Sequence, residues 1–230
     1  MKFGVVLPAY IDSYKEAREL EDLGYDSCWL FDSPMVYSDV YATLALAATH
    51  TSRIRLGTAT AVARNRIAPV TAHSIATINQ LAPGRVVLGF ATGNTARRVM
   101  GMPPVGITDF RREVECIRTL LRGGTARYYE GDRESEVRLV HQHHGFVCLN
   151  PPVPVYAGAN APKALAVAGE FGDGLITGGT AATLRENIAR ARVARPAGRS
   201  GDQFEVIAIL TAYVTAPGEA PDSPARLTFP

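Results

Sequence analysis

An α/β chain of the TIM-type (β/α)8 barrel class, incomplete at its C-terminus, is what this sequence predicts. Three observations carry the prediction. Apolar runs without polar alternation recur along the chain, as expected of parallel strands covered on both faces. Segments with apolar residues at helical spacing separate them. Several runs open directly into small residues, at 54–62 (IRLGTATAV), 85–94 (RVVLGFATGN), 153–160 (VPVYAGAN) and 173–179 (DGLITGG). Turns of that kind, all at the carboxyl ends of strands, suggest one shared ligand pocket.

The first strand is FGVVLP at 3–8. A helix follows over Ser13–Leu23, with Ser13 as N-cap, Glu16 three residues on as its capping-box partner, and Gly24 where a helix end favours glycine. The second strand is 25–32, a helix spans 41–49, and the third strand is 54–59. Pro69 opens a helix that runs to Leu81, and Pro83 and Gly84 close it. The fourth strand, 86–90, precedes a helix whose apolar face is Phe110, Val114, Ile117, Leu120 and Leu121. Residues 125–150 break the rhythm and read as a hairpin insertion with Tyr128, Tyr129, Val137 and Leu139 among its turns. Strands at 154–157, 174–177 and 204–214, with helices at 162–171 and 182–195, restore the alternation. Seven such strands point to a barrel whose strand eight and last helices are missing. The expected organisation is a barrel domain over 1–215 and an extended or disordered tail over 216–230, where proline is frequent and apolar periodicity is absent.

Composition sets the outer limits. Of 230 residues, 47% are hydrophobic and 20% charged, enough apolar material for a sizeable core. The net charge of +2 comes from 24 basic and 22 acidic residues spread along the chain, so nucleic acid is not an expected partner. No apolar run approaches the roughly 20 residues that span a bilayer, and the start is too short for a secretory signal. A cytoplasmic protein with no membrane partner is expected. Cys28, Cys116 and Cys148 lack metal spacing and read as reduced thiols. The cluster at 141–144, with three histidines, lies in neighbouring positions that face opposite ways and lacks a completing carboxylate or cysteine, so no metal site is assigned. Trp29, inside its strand, reads as core.

Taken together, GYDSCWLFDS at 24–33, TSRIRLGTATAV at 51–62, the block from 66 to 94 and FGDGLITGG at 171–179 resemble the bacterial luciferase-like monooxygenase superfamily, flavin-dependent and coenzyme F420-dependent oxidoreductases. The resemblance covers roughly residues 1–215. It implies a barrel that binds a deazaflavin or isoalloxazine ring across the carboxyl ends of its strands, with F420 or FMN as cofactor and a small molecule as substrate. It also implies a cis peptide at Ala59–Thr60, where small residues would let backbone approach the ring; read without the resemblance, this is a tight strand-to-helix turn.

Each further site residue has a functional and a plain structural reading. Thr92, Gly93 and Asn94 could bond the ring edge or its side chain, or form a glycine turn with Asn94 as a cap. Some family members place an acid where Asn94 stands; asparagine cannot exchange that proton at neutral pH. Gly158, Ala159 and Asn160 precede a helix opened by Pro162 and Lys163, a geometry suited to a phosphate, and Gly178 and Gly179 repeat it; an Asn160 N-cap and an ordinary turn explain the same residues. Asp32 bonds the cofactor or caps its loop. Tyr37, Tyr41 and Met35 line a substrate pocket or, for Tyr41, pack a helix. Arg64, Arg66, Arg97 and Arg98 meet an acidic ligand or solvent. Catalytic residues are not assigned.

The expected activity is hydride transfer or monooxygenation of a small organic substrate with reduced F420 or FMN, F420 being favoured by the 66–94 block. The alternative is a shortened, non-catalytic flavin-binding protein, with a homodimer covering exposed edge strands. A cofactor-free lyase or isomerase lacks a strand-end lysine or acid pair to support it.

Overall fold

The structure, a computed structural model, describes residues 1–199, 204–212 and 218. Its centre is a curled parallel sheet built from β1 (Gly4–Leu7), β2 (Ser27–Leu30), β3 (Arg55–Thr58), β4 (Ala61–Val62), β5 (Val86–Ala91), β8 (Val155–Gly158), β9 (Gly174–Gly178) and β10 (Glu205–Ile209). Strand order is β1-β2-β3-β5-β8-β9-β10, with the short β4 also on β5. The seven strands expected from the sequence are all present and parallel, the third as β3, with the short β4 an addition just beyond it. Among the described residues β1 and β10 are the two edges, so the sheet is a half-barrel.

Seven helices are described: α1 (Ser13–Asp22), α2 (Val40–His50), α3 (Ala68–Leu81), α4 (Thr95–Arg98), α5 (Ile107–Leu121), α6 (Pro162–Phe171) and α7 (Ala181–Val193). The start of α1 departs from expectation. Asp12 holds the N-cap position without a side-chain cap bond, while Ser13 Oγ accepts the Tyr10 N–H at 2.9 Å and donates to the Pro8 carbonyl at 3.0 Å. Ser13 therefore ties the helix back to the end of β1, and Glu16 takes the Tyr10 hydroxyl instead of closing a capping box. Asp39 supplies the cap that α2 needs, accepting from the Tyr41 and Ala42 amides. On α5 the expected apolar face is fully buried, and Glu113 and Cys116 join it.

Between 125 and 150 the paired strands are confined to β6 (Ala126–Glu130) and β7 (Arg133–Val137), an antiparallel sheet of their own. The segment after them is fixed by buried Asn79, whose Nδ2 donates to the carbonyls of Cys148 and Pro151. The expected seventh strand is shorter than 204–214: β10 ends at Ile209, and 213–214 lie outside the described residues. The expected tail, 216–230, also lies outside them apart from Gly218.

Strand alternation sorts the core into two layers. Cys28, Leu30, Leu56, Val86, Leu88, Phe90, Val155, Ala157 and Leu175 face the helices in one large cluster. Trp29, Ala59, Val87, Tyr156 and Ile176 face the barrel interior, with Val6, Ile207 and Ile209 beside them. Trp29 is core, as expected: its ring fills the space over Gly57, and Nε1 donates to Ser27 Oγ at 2.9 Å. Cys28 and Cys116 are buried free thiols and Cys148 is half-buried. Among the described residues no helix is long and apolar enough to cross a membrane, and no cluster of three or more His, Cys, Asp or Glu could hold a metal.

Candidate functional site

Inward positions lose their bulk toward the carboxyl ends of the strands. Midway up the barrel they are Trp29, Val87, Tyr156 and Ile176; two or four residues further on, strand alternation puts Gly89, Ala91, Gly158 and Gly178 there. The interior thus ends in a shelf of small residues. A Cβ at Gly158 would stand 2.9 Å from Thr60 Cγ2 and 3.0 Å from Ala91 Cβ, so Thr60, Ala91 and Gly158 already meet edge to edge. A side chain at Gly89 would collide with the Thr58 carbonyl oxygen. Only glycine lets β3 and β5 approach this closely, and Thr58 Oγ1 confirms the approach by donating to the Gly89 carbonyl at 2.6 Å.

The Ala59–Thr60 peptide bond is cis, at the position the resemblance implied. It separates β3 from β4 and leaves Ala59 in the interior cluster. Behind it stands Asp32, 6% exposed at the end of β2, whose Oδ2 accepts the Val62 N–H at 3.2 Å. Burial raises the Asp32 pKa; the Val62 bond and nearby Arg66 only partly oppose it. Asp32 thus brackets the bulge that follows the cis bond.

Thr92, Gly93 and Asn94 continue β5. Gly93 has φ +73° and packs where a side chain would overlap Val62, which is why glycine stands there. The Thr92 carbonyl accepts the Val105 N–H at 2.9 Å. Asn94 occupies the N-cap position of α4 but makes no cap bond; it is exposed, and its Oδ1 accepts from Arg98 Nε at 2.6 Å. The structural reading of Asn94 as a cap is therefore corrected: an arginine one turn on outcompetes the helix amides for its oxygen.

Asn160 is likewise not an N-cap. Ala161 holds that position at α6, and Asn160 Oδ1 instead accepts from Thr177 Oγ1 (2.7 Å), Gly178 N (3.1 Å) and Asn187 Nδ2 (3.3 Å). One carboxamide oxygen therefore locks the ends of β8 and β9 to α7. Ala159 N–H donates to Ile176 O. Gly179, at φ +130°, turns the chain into Thr180, the N-cap of α7. Helices α6 and α7 thus both begin at the carboxyl ends of adjacent strands; Pro162 has no N–H and Thr180 caps the Thr183 amide, which leaves the amides of Lys163 and Ala164 and of Ala181 and Ala182 without an intrahelical acceptor. Lys163, in the first turn of α6, adds a positive charge there.

The arginines near the mouth are engaged within the chain. Arg64 pairs with Asp109 and Glu113, Arg66 pairs with Asp39 and lies over the Tyr41 ring, and Arg97 donates to the Pro103 carbonyl. Tyr41 is buried as helix packing, whereas Tyr37 stacks on Phe31 at 6.0 Å and Met35 is open to solvent beside the end of β2. Sequence reasoning missed Gly89 and Ala91 as shelf residues, although their alternation with Val87 was legible. It also missed Glu113, whose pKa burial pushes up to about 7. That group sits between α5 and the 63–66 loop, off the strand ends, and no local pattern marks it.

Residues 1–227 match the family model described as luciferase-like monooxygenase. A 5,10-methylenetetrahydromethanopterin reductase of Archaeoglobus fulgidus is 30% identical over 99% of this chain and 68% of its own length. An F420-dependent glucose-6-phosphate dehydrogenase of Kineococcus radiotolerans is 33% identical over 70% of this chain, and half of its own length is covered. Among solved structures, the coenzyme F420-dependent tetrahydromethanopterin reductase of Methanopyrus kandleri superposes with a TM-score of 0.73 at 27% identity, over 90% of this chain and 65% of that one. The chain spans between half and about two thirds of the length of these relatives.

Proposed function

The chain belongs to the luciferase-like monooxygenase family, and from that premise we propose a two-electron oxidoreductase that binds F420 or FMN across the carboxyl ends of its strands and acts on a small organic substrate. The shelf formed by Thr60, Ala91 and Gly158 is the observation that carries this reading, because a flat ring can rest only where side chains have been removed. F420 is favoured, since two of the relatives carry that coenzyme in their names.

The residues present fit such a group. Thr60, Ala91, Gly158 and Gly178 would face the ring, with Asp32 holding the loop behind it. The leading amides of α6 and α7, with Lys163, would take a phosphate on the tail. Asn94 would offer a carboxamide at the rim, not a proton. When bound, the coenzyme supplies the chemistry: a hydride to or from carbon, or with reduced FMN and oxygen the transfer of one oxygen atom. Phe31, Tyr37 and Met35 would border the substrate and keep water from it.

A second reading, binding without turnover, is favoured by one observation. Among the described residues that end the strands, Asp32 alone has a carboxyl or imidazole able to exchange a proton, and its Oδ2 is already engaged by the Val62 amide. A homodimer that covers the edges of β1 and β10 accompanies either reading; its melting temperature would fall on dilution.

Anaerobic titration with F420 and, separately, FMN, followed by fluorescence, tests the proposal. Saturable binding of F420 is expected, and Gly158→Val should weaken it at least tenfold while the far-ultraviolet circular dichroism stays native. Saturable binding of neither coenzyme would overturn it. Binding without turnover of any alcohol, sugar phosphate or pterin offered would favour the second reading.

A further inference from the structure

The opposite end of the barrel, where the strands begin, holds a concavity that the proposed chemistry does not use. A cavity of about 480 Å³ opens there beside the residues that lead into β8 and β9. Arg118 and Arg122 reach it from the end of α5, Arg195 and Arg199 from the segment after α7, and among the described residues Asp173, directly before β9, is the carboxylate in its lining.

Three of these guanidinium groups converge on a single oxygen. Asp173 Oδ1 lies 2.9 Å from Arg118 Nε, 2.7 Å from Arg122 Nη2 and 3.3 Å from Arg199 Nη2. Its Oδ2 is taken by the Val155 amide at 3.0 Å. Among the described residues, one negative charge therefore serves three positive ones, and a single carboxylate oxygen cannot give each arginine the paired, in-plane bonds that guanidinium favours. The cations are also held in place. Arg199 donates to the carbonyls of Glu170 (2.7 Å) and Gly172 (2.8 Å), Arg122 donates to the Arg118 carbonyl, and Arg195 lies over the Phe204 ring at 4.4 Å. Burial first, and then the neighbouring Arg118, depress the Arg199 pKa, the electrostatic signature of crowded like charge. Among the described residues of this site, three guanidinium groups share one carboxylate, which leaves positive charge in excess.

We propose that this cavity is a binding site for a multivalent oxyanion of the phosphate class, held by Arg118, Arg122 and Arg199 at the end of the barrel away from the coenzyme site. A phosphate or diphosphate group presents several acceptor oxygens to fixed guanidinium groups and supplies the charge that Asp173 cannot. The volume lies in the range of small-molecule pockets, so a phosphorylated metabolite fits as well as the free ion.

Calorimetric titration of the full chain with pyrophosphate, in chloride at matched ionic strength, tests this. Saturable binding that depends on these arginines is expected. Arg122→Gln should weaken it at least tenfold, Arg122→Lys should recover part of the loss, and Lys163→Gln, at the strand-end site, should leave it unchanged. Arg199→Gln, which leaves the Arg118 and Arg122 bonds to Asp173 in place, gives the same readout if Arg122→Gln fails to fold. Absence of saturable binding, binding indifferent to both arginine variants, or a loss confined to Lys163→Gln would overturn the proposal.

Discussion

Replacing Glu113 by glutamine should make the protein more stable at alkaline pH and change how its stability responds to pH. The Glu113 side chain is 9% exposed; Oε2 accepts the Arg64 amide at 3.1 Å, and Oε1 stands 3.4 Å from Arg64 Nε. The cavity beside it measures about 10 Å³, at the lower limit for one water, so at most one water can rehydrate the carboxylate in place. Burial therefore outweighs the help from Arg64, nearby Asp109 adds repulsion, and the pKa rises from 4.5 to about 7. A rise of that size corresponds to roughly 3 kcal/mol at 1.36 kcal/mol per unit. The sign follows from linkage. Between about pH 4.5 and 7 the folded chain keeps a proton that the unfolded chain has lost, so this group's contribution is full below pH 4.5 and is lost as pH rises through 7. Glutamine has no such proton, and its carboxamide oxygen can still accept the Arg64 amide. Urea unfolding of both proteins at pH 5 and pH 8.5 checks this. The stability of Glu113→Gln relative to the parent should improve by roughly 3 kcal/mol between the two conditions, or about 6–12 °C in melting temperature for a chain of this size. A difference between the proteins that stays constant within about 0.5 kcal/mol would refute the argument that burial governs this carboxyl.

Three other perturbations test the site and the scaffold. Asp32→Ala leaves the Val62 amide without its acceptor and should destabilise by about 1–3 kcal/mol, whereas Asp32→Asn keeps an acceptor and should melt close to the parent at pH 8; equal melting temperatures for the two variants would show that the bond does not hold the bulge. Gly89→Ala places a methyl group against the Thr58 backbone carbonyl and should destabilise by about 3 kcal/mol or prevent folding, while Gly106→Ala, which meets nothing within 4 Å, should stay within about 1 kcal/mol of the parent in the same denaturation series. Inside the barrel, Arg55 bonds both Glu205 (2.7 Å) and the Tyr156 hydroxyl (2.9 Å), and that hydroxyl donates to Glu205 at 2.6 Å. Burial opposes ionisation of Glu205, but the bonds from Arg55 and Tyr156 prevail and lower its pKa, so its contribution is present above the usual carboxylate pKa and is lost in acid. Glu205→Gln should cost about 1–2 kcal/mol at pH 7, discounted for partial exposure, and flatten the acid limb of the melting curve; an unchanged acid limb would count against the triad.

What the amino-acid sequence determined by itself was whatever is periodic and local. Apolar runs such as VVLGFA and the spacing of Phe110, Val114 and Ile117 specify strand and helix through backbone geometry and burial, and the structure places seven parallel strands and the α5 face where that periodicity predicts them. The positive φ of Gly24, Gly84 and Gly93 is equally local, because only glycine turns there without strain. The cis bond at Ala59–Thr60 was legible only through resemblance, since nothing in those small residues distinguishes it from an ordinary turn. Tertiary structure decided what the polar side chains do. Asn160 looked like a helix cap and proved to be a bracket to Thr177 and Asn187; Asn94 bonds Arg98; and Asp173 gathers arginines from 55, 51 and 26 residues away. A polar group satisfies itself with whichever partner the sheet register and helix packing bring within about 3 Å, and that proximity is set by long-range pairing that no local pattern encodes. The same physics hid Glu113, because a carboxyl's pKa depends on the water that folding removes from around it.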